Sequence, residues 1–279
     1  MNAASGTAGA GAPAACFSTF AKAPGYTPIA ANPCELLGFG VLRLGAGESH
    51  QGAQEATREG MLVMLAGKAR ITVNGKVFAS VGGRGDVFSG LPHSIYLPRG
   101  ASYTVEALGR MEAAIATAPS SVDTEAYEVT PAQVSTGTWG TLNFTRTFRQ
   151  ILVEPDGRPA GSLVIGETIT PSGNWSTYPA HKHEADAGAE RYHEEIYYFR
   201  NSSPDGYGLM QHYSPERGYD LTHRVTDDSV IAIPHGYHTY VAAPGSHSYY
   251  LWVLAGSGRT QGVAMDPKHA WVQKLVGLV

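Results

Sequence analysis

The stretch Gly173-Asn174-Trp175-Ser176-Thr177-Tyr178-Pro179-Ala180-His181-Lys182-His183, followed by Glu194-Glu195-Ile196-Tyr197-Tyr198-Phe199, decides how this chain is read. Side chains alternate along a β-strand, so His181 and His183 share one face. A Glu heading the next β-prone run can face them across a hairpin. Glu195 is preferred to Glu194, because the apolar strand follows it directly and it shares a face with Tyr197 and Phe199. Eleven residues, 184–194, separate His183 from Glu195; they are rich in Ala, Gly and Glu and read as an extended hairpin loop. His193 is the substitute ligand should that loop fold inward. Pro234-His235-Gly236-Tyr237-His238 adds a third imidazole on a tight turn. Three imidazoles and a carboxylate suit zinc, iron, manganese or nickel, not calcium or magnesium.

Composition narrows the function classes. The chain has 279 residues, 43% of them hydrophobic, and a formal charge of −4. Its pI of about 6.2 offers no electrostatic case for nucleic acid or an anionic membrane. No apolar run approaches transmembrane length. Residues 1–20 read as a flexible tail without the basic and Leu/Val-rich regions of a signal peptide. Cys16 and Cys34 make no metal spacing and read as free thiols of a reducing cytoplasm. No nucleotide or phosphate cradle is present, so no organic cofactor is expected.

Gly (34) and Pro (17) punctuate short β-prone runs, the pattern of a sandwich or barrel. Strands are expected at 38–44, 61–66, 69–73, 77–81, 93–97, 102–107 and 111–117. A second set is expected at 162–169, 178–183, 195–200, 207–213, 229–233, 238–242 and 248–254. Asn74-Gly75 is a two-residue hairpin turn and Asp205-Gly206 marks another turn. The halves form a degenerate repeat: Ile95-Tyr96-Leu97-Pro98-Arg99-Gly100 parallels Ile231-Ala232-Ile233-Pro234-His235-Gly236. In that alignment Ser102 takes the place of His238, and His50-Gln51-Gly52 that of His181-Lys182-His183. The expected organisation is an N-terminal barrel without ligands over 21–120 and a connection over 121–150 with a short helix near 131–135. A metal-binding barrel over 151–279 completes it.

These motifs, with Gly208-Leu209-Met210-Gln211-His212-Tyr213 and Ala243-Pro244-Gly245-Ser246-His247-Ser248-Tyr249-Tyr250-Leu251-Trp252, resemble the 5-deoxy-glucuronate isomerases of myo-inositol catabolism. The resemblance runs from about residue 30 onward and is denser in the second half. Ala180, Glu184, His212 and Thr239 depart from the family's usual residues; none is a ligand. The resemblance implies an all-β bicupin, two jelly-roll barrels in one chain. It implies one divalent transition metal per chain, zinc or manganese/iron, on His181, His183, Glu195 and His238. The implied reaction is the aldose–ketose isomerisation of 5-deoxy-D-glucuronate to 2-deoxy-5-keto-D-gluconate. The implied partners are a small sugar acid and further copies of the chain in a cytoplasmic homo-oligomer.

Within that reading Tyr213 and Gln211, on one strand face, are candidate catalytic residues, with Tyr197 or a water as other bases. Trp175, Tyr178 and Tyr197 are candidate walls of the substrate pocket. Lys182 points away from its two His neighbours and reads as an outer contact. The same ligand set also allows a 4-deoxy-hexuronate ketol-isomerase, a cupin dioxygenase or a sugar-acid-binding bicupin.

Overall fold

The computed structural model describes residues 15–272 and the isolated positions 11, 13 and 274. Four antiparallel sheets stack in layers. A six-stranded and a seven-stranded sheet meet face to face in the middle; a four-stranded sheet closes the first into one barrel, and a five-stranded sheet closes the second. This layering explains the sequence pattern. The middle strands Arg58–Ala66, His193–Asn201 and Ser248–Gly256 are buried almost throughout, because one face fills a barrel and the other packs against the sister barrel. Outer strands such as Lys68–Val73 alternate exposed and buried residues, with one face in water. Asn74 and Gly75 both have positive φ, as the turn joining Lys68–Val73 to Lys76–Gly82 requires.

The two middle sheets repeat each other. In each, a Glu-headed strand pairs with the short strand that runs into the Pro-x-Gly turn: Gly60 faces Leu97 before Pro98, and Glu195 faces Ile233 before Pro234. Each barrel also receives a strand from outside. Phe17–Thr19 pairs with Ser229–Ile233 of the second barrel, and Tyr127–Val129 pairs with Ser94–Leu97 of the first.

Several elements differ from the sequence reading. The tail expected over 1–20 lies mostly outside the described residues, but Phe17–Thr19 is a sheet edge. The segment 121–150 is more than a connection. It holds the turn of 3-10 helix Pro131–Gln133, and Ser135–Trp139 and Arg146–Leu152 are strands of the seven-stranded sheet. Ser135–Trp139 pairs with the neighbouring Arg146–Leu152, but both runs are short and of mixed polarity, so they give no clean local periodicity to read.

Reciprocal polar contacts fasten the barrels around a shared core in which Phe39, Met61 and Val63 meet Ile196, Tyr198 and Val253. The Glu194 carboxylate accepts the backbone N–H groups of Glu35, Leu36 and Leu37 at 2.8, 2.7 and 3.3 Å. Its counterpart Glu59 accepts those of Gly161, Ser162 and Leu163 at 2.6–2.8 Å, and the Tyr96 hydroxyl. Buried Arg84 of the first barrel grips Glu167 of the second with two hydrogen bonds, of 3.0 and 2.5 Å. Glu112 bridges Arg43 and Arg200 across the interface.

Candidate metal centre

His181, His183, Glu195 and His238 converge inside the second barrel. One donor atom from each lies within 4.8 Å of the others. His181 and His183 come from the strand Trp175–Lys182 and the residue after it, and Glu195 from His193–Asn201. His238 comes from Tyr237–Ala242 and sits directly opposite His181 in the ladder. The register between the first and third of these strands shifts between Ser176 and His181, giving a bulge over 177–180. Thr177 there has φ of 59°, an uncommon conformation for a β-branched residue. The bulge re-aims the strand so that His181 and His183 face inward. Gly236 allows the close turn before His238, since a Cβ there would lie 2.2 Å from the Tyr219 hydroxyl.

The electrostatics prepare a ligand set. His183 Nδ1 donates to the backbone carbonyl of His193 at 2.7 Å and His238 Nδ1 to that of Gly236 at 3.2 Å, contacts that orient each ring with its Nε2 toward the cluster. Glu195 Oε2 lies 3.0 Å from His183 Nε2 and 3.1 Å from His238 Nε2. The second contact is not directed as a hydrogen bond, so His238 Nε2 is buried without a partner. An orphaned imidazole nitrogen is costly unless something fills the space before it. Burial, together with the neighbouring His238 and His183, holds the His181 pKa well below its ordinary value, which keeps the ring neutral. Burial works against the charge of Glu195, but His183 and His238 outweigh it and lower its pKa. Burial lowers the His183 pKa, but Glu195 outweighs it and the net shift is upward, so a proton and a metal ion compete for that Nε2. With the proton displaced, three imidazoles and an ionised carboxylate are the donor chemistry of one transition-metal ion.

The cluster opens on a cavity of about 470 Å³, walled by Trp139, Arg146, Tyr197, Tyr250 and Trp252 among others. Tyr197 lines this cavity. Trp175, Tyr178, Gln211 and Tyr213 do not: they line a separate cavity with His269 and Trp271. On Gly208–Ser214 the buried positions are Gly208, Met210, His212 and Ser214, and Met210 joins the core of the second barrel, so Gln211 and Tyr213 face out. Tyr213 donates to Asp266 there, and Gln211 to Asp220. The bulge turns Trp175 and Tyr178 to that side, while Thr177 lines the inner cavity. His193 stays out of the cluster, its Nε2 3.1 Å from the Gly258 carbonyl. Lys182 pairs outward with Glu184 at 2.6 Å. Arg146, in the segment read as a connection, and Trp139 were not singled out from sequence; no local motif marks them.

Layers, register and site together define a bicupin with a His₃Glu cluster in its second barrel. The KduI/IolB family model matches residues 25–272, and the chain belongs to that family. It is 37% identical over 242 residues to the 5-deoxy-glucuronate isomerase of Geobacillus kaustophilus (strain HTA426), covering 86% of this chain and 87% of the relative. It is 32% identical over 237 residues to that of Bacillus subtilis (strain 168), covering 84% and 86%. Among solved structures, an IolB-like protein from Salmonella typhimurium LT2 superposes with a TM-score of 0.86 at 31% identity, covering 92% of this chain and 99% of the other. Oxalate decarboxylase of Bacillus subtilis superposes with 0.64 at 12% identity, over 94% and 84%, and shares the fold alone.

Proposed function

We propose that this protein is a metal-dependent aldose–ketose isomerase that converts 5-deoxy-D-glucuronate to 2-deoxy-5-keto-D-gluconate. The observation that carries the reading is the four-donor cluster with its orphaned His238 Nε2, which opens through His181, His183 and Glu195 on a cavity sized for a small molecule. The names of the relatives favour isomerisation over the dioxygenase and binding-protein alternatives. His181, His183, Glu195 and His238 would hold one ion, with zinc, manganese or iron the metals their chemistry suits. When bound, such an ion supplies Lewis acidity to a carbonyl and the hydroxyl beside it. The protein's own groups orient the sugar and manage protons. Burial and the Glu195 charge hold the Tyr197 pKa well above its ordinary value. Its hydroxyl therefore stays protonated and serves as a hydrogen-bond donor to a substrate oxygen rather than as a base. Trp139, Trp252 and Tyr250 exclude water around the reacting carbons.

The isomerisation moves a hydrogen between adjacent carbons with no net redox change, so no nicotinamide or oxygen is consumed. The test is proton NMR of 5-deoxy-D-glucuronate with the metal-reconstituted protein, anaerobic and free of nucleotides. The expected result is appearance of the ketose. In deuterated water a proton-transfer route whose base exchanges with solvent puts deuterium into the new hydroxymethyl group. No conversion with zinc, manganese or iron, or conversion that requires oxygen, would refute the reading.

A further inference from the structure

The reaction proposed above leaves the far end of the substrate, a carboxylate, without a named partner. Among the described residues lining the cavity, Arg146 is the only Lys or Arg. It stands at the start of Arg146–Leu152, and its guanidinium lies 5.6 Å over the Trp139 ring. One terminal nitrogen donates to the Phe144 carbonyl at 3.3 Å. Nε is buried and has no partner, unlike the fully paired Arg84 at the barrel interface. Local sequence makes room for it. Gly140 has φ of 77°, and a Cβ there would lie 2.8 Å from the Arg146 Nη1 and 2.1 Å from the Phe144 carbonyl oxygen. Trp252 Nε1, another wall group, is likewise buried and unpartnered.

We propose that Arg146, held over Trp139 and backed by Gly140, is the carboxylate anchor that selects sugar acids over neutral sugars in this cavity. This rests on the reading of the cavity as a sugar-acid site. A planar guanidinium with an unused N–H matches the two oxygens of a carboxylate. The cavity's other fixed charge, Glu195, lies in the metal cluster, so the two mark opposite requirements of one ligand: an anionic end and a chelating end. An anchor that grips a non-reacting end also sets where the reacting carbons lie. Arg146 is a specificity and positioning residue in this account, and takes no part in the proton transfer.

The test compares a charged and a neutral probe on unsubstituted protein, Arg146→Met and Arg146→Lys, all loaded with metal. Binding of D-glucuronate and D-glucose is followed by ligand-observed NMR, turnover of 5-deoxy-D-glucuronate and 5-deoxy-D-glucose by proton NMR, and metal content by elemental analysis. Hydrogen bonds to charged groups predict a loss of about 10- to 100-fold for the acids in Arg146→Met, with the neutral sugars and metal content unchanged. Arg146→Lys, which keeps charge but not the fork, should fall between. Equal weakening of acid and neutral sugar, no preference for the acid in unsubstituted protein, or loss of metal from Arg146→Met would overturn the assignment. Arg146-dependent glucuronate binding without conversion of 5-deoxy-D-glucuronate would refute the reaction and leave the anchor standing.

Discussion

In the second barrel Glu195, His181 and His238 point inward; at the matching places of the first stand Gly60, Gly52 and Tyr103. The pairing register makes the match. Tyr103 faces Gly52 as His238 faces His181, and both Tyr103 and His238 are buried. The sequence alignment put Ser102 at the His238 place, but Ser102 is exposed and pairs with Ala53, so that alignment is one residue off. A one-residue slip exchanges the two faces of a strand. In the first barrel the vacated places are filled: a Cβ on Gly52 would meet the Tyr103 ring at 2.3 Å, and one on Gly60 the Gln54 amide at 2.7 Å. Leu62 and Met64 pack where Tyr197 and Phe199 stand in the second. The same scaffold thus serves as a packed support in one half and as a largely aromatic-walled cavity over four donor groups in the other. The difference resides in a few inward positions and the bulge over 177–180 that delivers His181 and His183.

The largest expected break of this asymmetry is at the ligands. His183→Ala, His181→Ala and His238→Ala should each lose metal and activity together. Removing a group that only orients a ligand costs about 10- to 100-fold, so removing a ligand should cost more than roughly 100-fold. Metal analysis beside the activity assay checks it; an alanine variant with full metal and full turnover would show that residue is not a ligand.

Next come the paired glutamates. Glu195→Gln should weaken metal binding, whereas Glu194→Gln should keep the metal and lose stability. Its amide would set an N–H against backbone donors that now bind a carboxylate. A cost of about 2 kcal/mol is expected, read as a thermal midpoint several degrees lower, and Glu59→Gln should behave alike because its contacts mirror those of Glu194. If Glu194→Gln emptied the site instead, the register of His193–Asn201 would be wrong.

The interface should also respond to acid. Burial raises the Glu112 pKa, but Arg200 and Arg43 outweigh it, and the net shift is downward. A carboxylate lowered on folding stabilises above its unfolded pKa, and that contribution is lost as pH falls through the folded value. Thermal midpoints measured from pH 7 to pH 3 should therefore fall, and Glu112→Gln should flatten part of that slope. An unchanged slope would mean other carboxylates carry it.

The smallest effect is expected at Ser102. Because its side chain points to solvent, Ser102→His should add no metal and change stability by no more than about 0.5 kcal/mol. A second equivalent of bound metal would restore the alignment that the register has displaced.

What the sequence made legible follows the same lines. The strand set of each barrel and the four converging donors were readable because they rest on local period and on turns such as Asn74-Gly75 and Pro234-His235-Gly236. The exchanged strands Phe17–Thr19 and Tyr127–Val129 were not, since their only signal is a partner more than a hundred residues away in one case and about thirty in the other. Gln211 and Tyr213 were read as candidate catalytic residues from their common strand face, but a common face says nothing about which face is inner. Trp175 and Tyr178 were misplaced by a bulge that no propensity announces. Arg146 was missed because its run looked like a connection, and the Gly140 that makes room for it is one of many glycines.

The most direct test of the account is anomalous diffraction from crystals of the metal-reconstituted protein. The predicted result is one full-occupancy ion per chain, in the second barrel, ligated by His181, His183, Glu195 and His238. A full-occupancy ion in the first barrel, or an ion in the second held by another set, would contradict it.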